Sequence, residues 1–139
     1  MNSRRLAEDY LDKAALRLEA LDLFFARGRY DDVVREAQAI VELVLKGLLR
    51  SLGIDPPRLH DVSDTLRSHR ERLPPFLAEE LPTIAEMSAY LAGERSHAFY
   101  GDESGSIPPS ELFSLKEAER IRGWTRRLVD LYRRALRGA

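Results

Sequence analysis

The sequence predicts an all-α fold, an antiparallel helical bundle, and three observations carry that expectation. In each long segment apolar residues recur at three- and four-residue steps, the spacing of one face of a helix. Glycines and prolines punctuate these segments at helix-length intervals: Gly28, Gly53, Pro56-Pro57, Pro74-Pro75 and Gly93. No stretch alternates apolar and polar residues in a way that calls for a strand.

The segment from Tyr30 to Leu52, YDDVVREAQAIVELVLKGLLRSL, is apolar around most of its circumference, which makes it the central helix. Val33, Val34, Ala37, Ile40, Val41, Val44, Leu45, Leu48, Leu49 and Leu52 form one face, and a seam of Ala39, Leu43 and Gly47 climbs another. Small residues on that seam would let a neighbouring backbone come close. Asp31 or Asp32 is expected to cap its start, and Gly53 to end it. Glu42 and Lys46 interrupt the cylinder four residues apart with the acid first, the favourable order for a helical ion pair. They fit either a solvated pair or the edge of a polar pocket.

The other elements take their places around this one. Ser3 to Arg27 is a first helix carrying Ala7, Tyr10, Ala14, Leu18, Leu21 and Phe25 inward, and its short link at Gly28 predicts antiparallel packing on the central helix. A proline-stiffened connector, IDPPRLHD, leads to a short helix opened by His60-Asp61 with Val62, Leu66 and Leu73 as its apolar residues. A helix from Phe76 to Leu91 follows, with Leu77, Leu81, Ile84 and Met87 or Ser88 facing the core and a kink or fresh start expected at Pro82. Gly93 is expected to end it and release a loop, ERSHAFYGDESGSIPPSELFS. The last helix, Leu115 to Leu136, places Ile121, Trp124, Thr125, Leu128, Leu131, Tyr132 and Ala135 on one stripe.

With 139 residues, the chain is expected to form one domain over residues 1–139. Charged residues at 32% and hydrophobic residues at 44% fit a globular chain, and no apolar run approaches bilayer length. No membrane association is therefore expected, and the zero cysteine count and absence of a leader-like apolar stretch point to the cytoplasm. A net charge of -1 argues against coating nucleic acid by charge alone. The last helix is locally basic, however, and offers either a track for a nucleic-acid backbone or a solvated face.

Several chemistries lack their motifs. There is no GxSxG elbow, GxxxxGK[ST] or GxGxxG, and three scattered histidines without cysteine do not make a metal site. No metal and no cofactor are expected. Arg95, His97 and Tyr100 form the leading candidate ligand-binding cluster: a phosphate-binding cation, a group titrating near neutral pH and a hydroxyl or stacking ring. The competing reading pairs Arg95 with Glu94 or Asp102 and uses Phe99 and Tyr100 to plug the end of the bundle. His60, beside the amides of a helix start, is a second candidate, with Lys46 at the pocket edge. His69 reads as exposed and inert.

Taken in order, Tyr30-Asp31-Asp32, the run Ala37 to Leu49, Gly53, His60-Asp61-Val62 and Arg95 to Asp102 resemble the HEPN family of small all-α domains. The resemblance implies about five helices, usually a homodimer, with the Arg-containing motif facing a cleft near the subunit boundary. Many HEPN proteins resemble metal-independent ribonucleases in which an Arg and a His are separated by four to six intervening residues. Here Tyr100, Gly101 and Asp102 stand near those positions after Arg95, so that motif is not intact and no catalytic residue is assigned. Other members resemble partners of a minimal nucleotidyltransferase, for which this chain has no motif of its own. The resemblance thus implies a dimeric module binding a nucleotide or RNA phosphate beside a separately encoded nucleotidyltransferase, or alternatively a ribonuclease toxin of a toxin-antitoxin pair.

Overall fold

The computed structural model describes residues 3–138. Among them six α-helices follow one another: α1 (Ser3–Ala26), α2 (Tyr30–Ser51), α3 (Ser63–Arg67), α4 (Pro75–Ala78), α5 (Leu81–Tyr100) and α6 (Leu115–Leu136). The long helices α1, α2, α5 and α6 make the bundle, with α2 packed against the other three. No strand occurs among the described residues, and an isolated β-bridge joins Asp102 to Ile107.

The central position of α2 follows from its composition. Val33, Val34, Ala37, Ile40, Val44, Leu45 and Leu49 are all fully buried. At about 25 cal/mol per Å² of apolar surface, such a face is the main source of the core's stability. On the seam, Gly47 makes room for a side chain from another helix, since the Tyr132 ring of α6 occupies the space a Cβ there would need. Tyr132 is itself fully buried and donates its hydroxyl to the Ala7 carbonyl, so one side chain ties α6 to both α1 and α2. Burial of that phenol pushes its pKa well above the ordinary tyrosine value.

Helix ends show where local expectation holds and where it fails. Gly28 and Gly53 adopt φ of +74° and +78° and stop α1 and α2. After each, the next amide reaches back five residues, Arg29 N to Phe24 O and Ile54 N to Leu49 O, the Schellman closure. At the start of α2 the expected aspartate cap is absent. Arg29 holds the N-cap position without a side-chain bond, and Asp31 lies inside the first turn, buried, accepting from the Arg29 guanidinium at 2.8 Å. Carboxylates there still oppose the positive end of the helix dipole.

Pro82 produces a fresh start: α4 ends at Ala78 and α5 begins at Leu81 with proline in its first turn. The expected stop at Gly93 is wrong, since α5 runs through it to Tyr100. Gly93 faces open space, and glycine in an exposed helix interior costs only about 1 kcal/mol. The stop is Gly101, at φ +81° and so close to the Ile107 carbonyl and Pro109 that no side chain would fit. The segment beyond is a tight turn closed by Asp102 N to Ile107 O at 2.9 Å and the return bond at 3.0 Å. The short helix after the proline connector begins at Ser63 and not at His60-Asp61, because Asp61 turns its carboxylate onto the Ser63 amide and the Ser88 hydroxyl.

Candidate functional site: a cationic groove over the central helix

Gln38, Glu42, Lys46 and Arg50 rise along α2 in steps of four, a polar ladder on the side of the helix that no other helix covers completely. Lys46 Nζ donates to Glu42 Oε2 at 2.8 Å, and Gln38 Nε2 donates to Glu42 Oε1 at 2.9 Å. His60, from the proline connector, places Nδ1 3.0 Å from the same Oε1. Burial pushes the Glu42 carboxyl up, but the bonds from Lys46, Gln38 and His60 outweigh it and hold the pKa below its ordinary value. Glu42 is therefore a fixed anion that fastens Lys46 and His60 in place.

Arg95 reaches this ladder from α5. Its Nε donates to Gln38 Oε1 at 3.2 Å, so Gln38 links the guanidinium to the glutamate. No acid pairs with Arg95 among the described residues; neither Glu94 nor Asp102 does so. Arg35 lies nearby, its guanidinium 4.7 Å over the Phe99 ring and within 3.4 Å of the Arg95 carbonyl. Together with Tyr10, Lys13 and Arg17 of α1, these residues enclose a groove of about 490 Å³. Five cationic side chains line it against Glu36 and Glu42, and Glu36 is taken up by Arg17 at 2.9 Å. The surplus is positive. Arg95 has its outer edge free: the two terminal nitrogens, like the Lys13 ammonium, have no hydrogen-bond partner among the described residues.

The candidate residues named from sequence separate into two groups. Arg95, Lys46 and His60 meet in the groove. His97 and Tyr100 do not line it: the continuous α5 turns them to other sides, each more than half exposed, with His97 Nδ1 3.6 Å from Glu94. Phe99 and Tyr100 do not plug the bundle either; they stand out from it edge to face, with centroids 4.9 Å apart. His69 is half-buried, with Nδ1 2.9 Å from the Thr65 carbonyl to which it donates. Sequence reasoning missed Gln38, Arg35, Arg17, Lys13 and Tyr10. The one signal available was the step-of-four polar ladder within an otherwise apolar helix.

The basic last helix is a different case. Arg122 and Arg126 both bind Asp22 at 2.8 and 2.6 Å, Arg127 binds Glu80 and Arg133 binds Asp130. Arg134 lies 3.9 Å over the Phe76 ring. Much of the helix's charge is thus neutralised within the molecule itself. Among the described residues no group of His, Asp and Glu gathers that could hold a metal ion, and no helix is long and apolar enough to cross a membrane.

A small helical bundle with a cationic groove formed by its central helix is thus the class that fold and site define. Residues 7–135, nearly the whole chain, match the family model described as HEPN domain, and the chain belongs to that family. Comparison with curated proteins and with solved structures gave no match.

Proposed function

We propose that this HEPN-domain protein is a nucleotide- or RNA-phosphate-binding module. The observation that carries the reading is the Arg95 guanidinium, anchored through Nε to Gln38 with its outer nitrogens free beside a groove that also holds Lys46 and His60. A phosphate lying against that edge would gain charge-assisted bonds in the fork geometry that arginine offers. The HEPN family is compatible with such a role. The reading extends to a homodimer working beside a separately encoded minimal nucleotidyltransferase. The exposed Phe99 and Tyr100 next to Arg35 offer apolar surface for such contacts.

Calorimetric titration with nucleoside monophosphates tests the site. Binding by the wild type that weakens about tenfold or more in Arg95→Ala is expected, the scale of one charge-assisted hydrogen bond. Equal binding by the two proteins would overturn it. Sedimentation of the purified protein tests the dimer, and the product of the adjacent reading frame tests the partner.

A second reading, a ribonuclease toxin that needs no metal, gains support from one feature: His60 and Arg95 line the same groove although they are far apart in sequence. An imidazole and a guanidinium are the groups that would move a proton at a 2′-hydroxyl and bind the phosphate. Labelled RNA incubated in EDTA decides it. Cleavage lost in His60→Ala would favour the enzyme, and intact RNA would remove it.

A further inference from the structure

Beyond Lys46 the groove does not end. A second cavity of about 800 Å³ opens between the last turn of α2 and the Pro56-Pro57 connector, and it shares Tyr10, Glu42, Lys46 and His60 with the first. Its far wall carries Arg50 and Arg58. Arg58 is exposed and has no acid partner among the described residues. Arg50 is held by Asp55, at 2.9 Å, a carboxylate 87% exposed to water, while its buried Nε has no hydrogen-bond partner among the described residues. A carboxylate so open to solvent is easily exchanged for another anion.

Resting on the phosphate-binding reading above, we infer that Arg50 and Arg58 form a second anion subsite, so that the ligand is a linear chain of phosphates longer than a single nucleotide. Gln38, which anchors Arg95, and Arg50 stand three steps of the ladder apart, roughly 18 Å along the axis at about 1.5 Å per residue. One nucleoside monophosphate cannot touch both ends. A chain laid along α2 meets Arg95 first, Lys46 midway and Arg50 with Arg58 last, with the Tyr10 ring at the waist between the two cavities. Proline at 56 and 57 stiffens the backbone of the outer wall.

Calorimetry with AMP, with single-stranded oligoadenylates of two, three and four nucleotides, and with inorganic tripolyphosphate tests this on the full chain. Affinity is expected to rise at least about tenfold from AMP to the tetranucleotide. The length gain is expected to vanish in Arg58→Ala, which keeps wild-type affinity for AMP. Arg58→Ala guards against misfolding, because that side chain is exposed. Tight tripolyphosphate binding would identify the ligand as a bare phosphate chain, and preference for the oligoadenylates as one that carries bases. Affinity independent of length, or a length gain untouched by Arg58→Ala, would overturn the subsite while leaving the Arg95 site standing. No binding of any probe would overturn both.

Discussion

The groove and the last helix are both rich in arginine, yet the charge of Arg95 and those of the paired arginines on α6 have opposite fates. On α6 Arg122 and Arg126 turn onto Asp22, Arg127 onto Glu80 and Arg134 onto the Phe76 ring, tying this helix to its neighbours, while Arg133 pairs with Asp130 within α6. In the groove Arg95 rests on a neutral amide, and its positive charge remains uncompensated. The difference teaches that a count of basic residues does not locate a site. What matters is the partner each cation has already found.

If α6 serves packing and the groove serves a ligand, substitutions in the two regions should separate stability from binding. The largest effect is expected at Gly47→Val, which drives a side chain into the Tyr132 ring and should cost roughly 3 kcal/mol in denaturant unfolding, as overpacking at a rigid contact does. Next comes Arg95→Ala, expected to cost about 1.5–3 kcal/mol of nucleotide binding by calorimetry while the unfolding midpoint stays within experimental scatter. Asp22→Ala, which removes the shared anchor of Arg122 and Arg126, should lower stability by about 1 kcal/mol or less, since the site is partly exposed, and leave binding unchanged. A loss of nucleotide affinity in that variant would break the division.

The smallest effect concerns pH. Because Glu42 has its folded pKa held below the ordinary 4.5, its contribution to stability is present above that value and is lost as pH falls through the folded pKa. Resistance of the wild type to urea unfolding should fall below about pH 4.5, and Glu42→Gln should flatten that part of the profile. The same substitution loosens Lys46 and His60, so it sharpens the comparison by testing whether the ladder must be fixed for binding.

How far the sequence could be read depended on the range of the forces involved. The bounds of α6 were legible to the residue because a capping box at Ser114 and Glu117 and a strong apolar stripe act locally. The length of α5 was not, because Gly93 looks like a stop, and only its surroundings show that an exposed helical glycine is tolerated there. That one error had consequences for the site. An extended backbone after Gly93 would have put Arg95 and His97 on one face, whereas the helix disperses them. Arg95 and Lys46 could be named from spacing and motif. Gln38 as the link between them, and Arg35 and Arg17 around them, depend on how α1 and α5 lean on α2, which no local pattern encodes.

The Tyr132 hydroxyl, seated on the Ala7 carbonyl and over Gly47, also bears on how the chain is made. On the ribosome the α1–α2 hairpin emerges before α6, with an open notch where the phenol will later fit. The nascent hairpin therefore waits with apolar surface uncovered until the last helix locks home.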